Sequence, residues 1–235
     1  MNNATSIRER LCGNAYPGRG IIVGQLRDGR AAFAYFIMGR SENSRNRVFV
    51  EDGQGLKTKP YDESKVKDPS LIIYSPVKVV GGDVIVTNGD QTDTIEQALQ
   101  AGKCFRHALR KRTFEPDSPN FTPRISAILH TGGKYCYEMS ILKSADKEGK
   151  ACNRYFFDFE PIAGEGRFIH TYQSDGNPLP SFEGEPERVF LPADFKAFAE
   201  EIWNSLNEEN KISLYCRAID CKSGEYENIL FNKYE

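Results

Sequence analysis

Histidine is scarce in this 235-residue chain: only His107, His130 and His170 occur, and no two are close in sequence. There is no CxxC pair, and the three histidines stand far from one another, so a structural or catalytic zinc site is not expected. The six cysteines (Cys12, Cys104, Cys136, Cys152, Cys216 and Cys221) are scattered. In a chain this long they read as free thiols of a cytoplasmic protein rather than as a disulfide framework. A basic excess is missing as well. The 31 Lys and Arg residues face 33 Asp and Glu, for a net charge of -2. That argues against general nucleic-acid binding and leaves room only for a local basic pocket. No segment reaches the roughly 18 apolar residues of a membrane span. The N-terminal "MNNATSIRERLCGN" lacks the apolar core of a secretory signal. The expected partner is a small molecule, with no metal and no redox cofactor signalled.

What is present is an ordinary globular mixture, 39% hydrophobic and 27% charged, enough for one substantial core. "GIIVGQ", "RDGR" and "AAFAYFIM" predict a hairpin over residues 20–38, with an Asp-Gly turn. "LIIYSPVKVV", Gly81-Gly82 and "DVIVTN" predict a second, and "RISAILH", "TGG" and "KYCYEMSIL" a third. "RYFFDFEP", "RFIHTYQ" and "ISLYCRAI" are further strands. One helix is expected from Asp93, with Glu96 completing a capping box and an apolar stripe running through Ile95, Ala98 and Leu99 to Ala108 and Leu109. Gly102 is its weak point. The basic residues Arg106, Arg110, Lys111 and Arg112 at its end complement the helix dipole. Another helix follows Pro192, where Phe195, Phe198, Ala199, Ile202, Trp203 and Leu206 make a full amphipathic face. Those aromatics are expected in the core. Residues 174–192 form an ordered surface loop. Hairpins followed by helices indicate an α+β layered fold, taken here as one domain over 1–235.

Three polar segments could carry chemistry. "GRSENSRNR" (39–47) follows an apolar strand and gathers Arg40, Arg45 and Arg47, whose planar forks suit phosphate oxygens. A solvated turn is the plainer account. "VTNGDQTDTI" (86–95) ends a strand and starts a helix within a few residues. Its polar groups either cap the helix or present donors to a ligand. "FEPDSPNFTPRIS" (114–126) is a loop stiffened by Pro116, Pro119 and Pro123, flanked by Glu115 and Arg124. It is either a rigid connection or a site held in fixed geometry.

Together with "YPGRGIIVG" (16–24), "IIYSPVKVV" (72–80) and "TPRISAIL" (122–129), these segments resemble the archaeal-type IMP cyclohydrolase family, in the same order along roughly the first 130 residues. "DGNPLPSFEGEP" resembles a segment of its bacterial members. The resemblance implies an αββα sandwich of the Ntn-hydrolase type, mostly antiparallel, with helices on the outer faces. It also implies the last step of purine synthesis, in which 5-formamidoimidazole-4-carboxamide ribonucleotide (FAICAR) closes its second ring, loses water and becomes IMP. By motif, it gives catalytic roles to Arg47 (polarising the formyl oxygen), Tyr74 (donating to that oxygen or relaying a proton) and Glu115 (acid/base). It puts Arg40, Arg45, Asn88, Gly89, Asp90, Gln91, Thr92 and Arg124 on the nucleotide. On the residues alone, Tyr74 would be a core tyrosine. Two alternatives stay open: a nucleotide-binding regulator without turnover, and an amidohydrolase processed to expose Cys12 as its nucleophile. The oligomeric state is also open, a homo-oligomer included.

Overall fold

Side-chain alternation along the strands decides which face of each sheet is buried and by what. The computed structural model describes residues 4–66 and 73–234, so the first two residues of the predicted segment "LIIYSPVKVV" lie outside the described residues. The chain enters through β1 (Thr5–Ser6) and α1 (Ile7–Cys12), then forms the predicted hairpin of β2 (Arg19–Gln25) and β3 (Ala31–Met38). One helical turn, α2 (Glu42–Arg45), leads to a second hairpin, β4 (Val48–Asp52) and β5 (Gly55–Lys59). β6 (Val77–Val80) and β7 (Asp83–Thr87) precede α3 (Gln91–Gln100) and α4 (Phe105–Leu109). β8 (Arg124–His130), β9 (Cys136–Ser144) and β10 (Cys152–Phe159) form a meander. β11 (Glu165–His170), β12 (Glu187–Phe190), α5 (Phe195–Ser205), β13 (Lys211–Ile219) and β14 (Tyr226–Asn232) complete the chain.

The strands form two seven-stranded sheets. One runs β1-β12-β11-β2-β3-β13-β14 and the other β10-β9-β8-β7-β6-β5-β4. Among the described residues, every pairing between these strands is antiparallel except β1 with β12. Odd-numbered residues of β2 and β3, among them Ile21, Val23, Phe33 and Tyr35, point between the sheets and meet Val84, Val86, Ile125, Ala127 and Leu129 of the other sheet. Even-numbered Ile22, Ala32, Ala34 and Phe36 face outward under α1 and α5, against Ile7, Leu11, Phe195, Phe198 and Ile202. Ile85, Ile128 and Leu142 of the second sheet are covered by Ile95 of α3 and by Phe105, Ala108 and Leu109 of α4. The layers are therefore helix, sheet, sheet, helix, as expected for an αββα sandwich. Among the described residues, no helix is long and apolar enough to cross a membrane.

Local expectations are corrected around α3. The predicted single helix breaks at Gly102, where φ is +68°. There the Gly102 and Lys103 N–H groups close back on Leu99 O (2.9 Å) and Ala98 O (2.8 Å). Ala108 and Leu109 still reach the same apolar cluster, but from α4. The helix begins at Gln91, two residues early, and the Asp93–Glu96 capping box does not form. Both carboxylates instead hold Lys78, at 2.7 and 2.5 Å. The basic residues beyond α3 do more than complement a dipole: Arg106 pairs with Glu138 and Asp158, and Arg112 with Asp90. The loop over 174–192 is ordered as expected and also contains β12.

Candidate functional site

At the end of the sandwich where β2 and β8 begin and β3 and β7 end lies a cavity of about 320 Å³. Its lining includes Arg19, Arg40, Arg47, Glu115, Asp117, Thr122, Tyr16 and Tyr172. Arg19 follows from strand geometry. It has the parity of Ile21 and Val23 on β2, so it points into the inter-sheet space where an apolar residue would be expected. Its Nη2 lies 3.4 Å from Glu115 Oε2, and its Nε is buried without a hydrogen-bond partner among the described residues. Burial works against the Arg19 cation, but Glu115 together with Tyr172, Tyr74 and Tyr35 outweighs it and holds the guanidinium above its ordinary pKa.

The arginines of "GRSENSRNR" separate into three roles. Ser41 caps α2 reciprocally with Ser44. This turn aims Arg47 inward, 4% exposed, with Nε donating to Ser44 O (2.9 Å) and Nη2 to Met38 O (3.4 Å). Arg47 has no ion-pair partner among the described residues. Burial first, and the Arg19 cation second, hold its pKa below the ordinary arginine value. Arg19 thus holds Glu115 while Arg47 has no carboxylate of its own, and Asp117 is taken up by Thr122, a charge arrangement that favours an anionic ligand. Arg40 stands at the rim, over the ring of Tyr16 (4.9 Å) and paired with Asp175. Arg45 does not line the cavity. It donates to Gly39 O (3.0 Å) and Asn210 Oδ1 (3.2 Å), so it fastens the turn to the loop before β13. Arg45→Ala should cost about 1–2 kcal/mol of stability in urea unfolding and leave KM for the cavity's ligand unchanged.

"NGDQTD" lies behind the cavity wall rather than in it. Asn88, Gln91 and Thr92 are fully buried and their polar groups are taken up internally. Asn88 Oδ1 accepts from the Ile125 N–H (2.9 Å) and from Gln91 Nε2 (2.9 Å), and Thr92 Oγ1 lies 2.6 Å from Thr87 Oγ1. Arg124 has the outward parity of Ile128 on β8, so it reaches α3 and not the inter-sheet cavity. Its Nη1 donates to Gln91 Oε1 (2.8 Å) and pairs with Asp90 Oδ1 (2.6 Å), a carboxylate that Arg112 also grips. Gly89 is the point of close approach: a Cβ there would stand 2.7 Å from Arg124 Nη1 and 2.8 Å from Gln91 Oε1. The five residues 88–92 and Arg124 therefore form a polar knot beneath Glu115. None of residues 88–92 lines the cavity, and the side chains of Asn88, Gln91 and Thr92 already have internal partners.

Glu115 sits in a loop that closes on itself. Its N–H donates to Thr122 O (2.9 Å), Asp117 Oδ1 accepts from the Thr122 N–H (2.6 Å), and Phe114 packs edge-on against Phe121. Only 5% of Glu115 is exposed. Burial raises its pKa above the ordinary carboxylate value, against the pull of Arg19 and then Arg124. Such a carboxyl is poised to exchange a proton. Tyr74 is buried, and its hydroxyl lies 2.6 Å from the Tyr35 hydroxyl. Burial, then Tyr74, hold the Tyr35 hydroxyl well above its ordinary pKa despite the Arg19 cation.

The structure thus brings Arg47 and Glu115 together at the cavity, with the Tyr74–Tyr35 pair in the electrostatic neighbourhood of Arg19 and Arg47. Sequence reasoning missed Arg19, Tyr35, Asp117 and Tyr172. For Arg19 a signal existed: extending the alternation of "GIIVG" back by one residue places a cation on the inner face. Cys12 is outside the cavity lining. It ends α1, whose Leu11 is 1% exposed in the core, so processing behind Leu11 would sever a packed helix.

Similarity to known proteins agrees with this geometry. The IMP cyclohydrolase from Methanopyrus kandleri is 33% identical over 161 residues, 67% of this chain and 75% of its own length. That of Methanocaldococcus jannaschii is 32% identical over 175 residues, 72% and 81% respectively. That of Methanococcus maripaludis strain C7 is 33% identical over 187 residues, 70% and 92%. The sequence profile described as "IMP cyclohydrolase-like protein" matches residues 16–224, so with its paired inward arginines and buried glutamate the chain belongs to the IMP cyclohydrolase-like family.

Proposed function

We propose that this chain is an IMP cyclohydrolase that converts FAICAR to IMP with loss of water, the closing step of purine synthesis. The observation that carries the residue roles is the buried Arg19–Glu115–Arg47 grouping, two cations around one carboxyl of raised pKa. One domain, 1–235, supplies both walls of the site. Its six unpaired cysteines suit the reducing cytoplasm.

In the reaction, the carboxamide nitrogen attacks the formyl carbon and loses one proton, which Glu115 accepts. Negative charge develops on the formyl oxygen, and Arg47 stabilises it there. Tyr74, with Tyr35 behind it, donates a proton to that oxygen. The formamide nitrogen then gives up its proton as the carbon–oxygen bond breaks, and a second protonation of the oxygen lets water leave. Ring closure thus moves two protons, one from each nitrogen, onto one oxygen. Arg19 neutralises Glu115 and shares the anionic substrate with Arg47. Arg40, at the exposed rim beside Tyr16, takes the 5′-phosphate in exchange for Asp175. Arg124 and residues 88–92 hold the loop that carries Glu115.

Purified protein mixed with FAICAR should show the ultraviolet change of purine formation, unaffected by a chelator. Folded protein that binds IMP tightly, seen as a raised melting temperature, yet never turns FAICAR over would overturn the reading in favour of a regulator. Tyr74→Phe should lower kcat about 10- to 100-fold with KM little changed, since its hydroxyl acts only as charge develops. A rise in KM with kcat intact would assign Tyr74 to ground-state binding instead.

A further inference from the structure

A second cavity, of about 500 Å³, opens at the opposite end of the inter-sheet space, among the β6–β7, β8–β9 and β13–β14 turns. The length of β2 puts the two ends roughly 20 Å apart. Strand parity builds this cavity too. On β13, Tyr215, Arg217 and Ile219 share the inward face, and Arg217 is 2% exposed. Its Nε donates to Asn228 Oδ1 (2.8 Å) and its Nη2 to the Tyr215 hydroxyl oxygen (2.6 Å). The rings of Tyr226 and Tyr215 lie 4.2 and 5.6 Å from the guanidinium carbon. All of these partners are neutral. Among the described residues no carboxylate forms an ion pair with Arg217, its Nη1 makes no hydrogen bond, and the residue lines the cavity.

The rest of the lining has the same sign. Lys222 joins from the β13–β14 turn, where Asp220 lies in its field, and among the described residues the lining contains no Asp or Glu, in a chain where acidic residues outnumber basic ones. The turns at Gly82, Gly132 and Gly224 leave one wall as bare backbone. The Glu51 carboxylate is reached only through Asn228, whose Nδ2 donates to Glu51 Oε1 (2.7 Å), and a buried cation with no direct counter-ion carries a desolvation cost that a bound anion would offset. The volume fits a molecule of nucleotide size. Tyr226, 44% exposed, offers a ring at the mouth for a planar group to stack on.

We propose that this cavity is a second ligand site, which binds a phosphate group on Arg217 and Lys222, as in a nucleoside monophosphate whose base stacks on Tyr226. The site is independent of the cyclisation chemistry assigned to the first cavity.

Equilibrium dialysis of the full chain with labelled AMP and, separately, with inorganic phosphate tests this. A class of sites should appear that loses at least tenfold in affinity in Lys222→Glu and in Arg217→Gln but persists in Arg19→Met. Lys222 is an exposed turn residue, so its variant keeps the test sound even if Arg217→Gln fails to fold. Both variants should turn FAICAR over at the wild-type rate in the absence of AMP. If phosphate alone fills the Lys222-dependent class as tightly as AMP, free phosphate is the occupant; if AMP binds at least tenfold tighter, a nucleotide is. No binding of either probe, or binding lost only in Arg19→Met, would overturn the proposal.

Discussion

Replacing Glu115 by glutamine should lower kcat for cyclisation by about 10²- to 10⁴-fold, the usual contribution of a positioned acid/base group. Glutamine keeps the shape and one acceptor oxygen but cannot take the carboxamide proton. The pH profile gives the sharper test. Burial raises the Glu115 pKa, and Arg19 only partly opposes it. The wild-type kcat/KM should therefore rise with pH through a value above the ordinary carboxylate range, and that limb should vanish in the glutamine variant. The same shift carries a stability sign. A carboxyl whose folded pKa is raised binds its proton more tightly when folded, so its contribution to stability falls as pH climbs from the unfolded value through the folded one. The difference in unfolding free energy between wild type and variant, followed across that window, should show this slope. An unchanged acid limb in Glu115→Gln would remove Glu115 from the proton-transfer role.

The second large effect is expected at Arg19. Arg19→Met should reduce kcat/KM by about 10²- to 10³-fold, comparable to removing a preorganised donor in other active sites. It should also shift the acid limb upward. The Arg19 cation stabilises the ionised form of Glu115, so without it the carboxyl holds its proton to higher pH. Arg19→Lys separates charge from geometry. A lysine restores a positive charge and should bring the limb part of the way back, but it lacks the planar fork and should recover little turnover. If the limb stays in place in Arg19→Met while turnover drops, Arg19 serves the substrate alone.

Much of the layered fold was legible because strands covered on both faces are apolar throughout, while the helices over them carry a single apolar stripe. "GIIVGQ" and "AAFAYFIM" are apolar at both parities, as strands covered on both sides must be, and the stripe from Phe195 to Leu206 matches α5. β4, β5 and β14 were not legible. β4 ends in the exposed Glu51 and Asp52, β5 alternates over only five residues with a single apolar side chain, Leu56, and β14 starts exposed at Tyr226 and Glu227. For the site, proximity in sequence was a poor guide to proximity in space. Arg45 and Arg47 are neighbours in the motif, yet one ties down a turn and the other faces the cavity. The polarity of "NGDQTD" was visible, but not that its partners were Ile125 and Arg124, some 35 residues downstream. Arg19 was obscured because a single arginine before a strand looks like a flank until the register is known.

The site's two walls belong to different sheets: Arg19 and Tyr35 come from the first, Tyr74 and Glu115 from the segments that border the second. A nucleotide held between them would act as a staple across the sandwich and oppose the sliding of one layer over the other. Occupancy and cohesion of the two halves would then be one linked equilibrium. Any remote substitution that loosens the packing between Phe33 or Ile21 and Val86 would be felt first as weakened ligand affinity, before the protein unfolds.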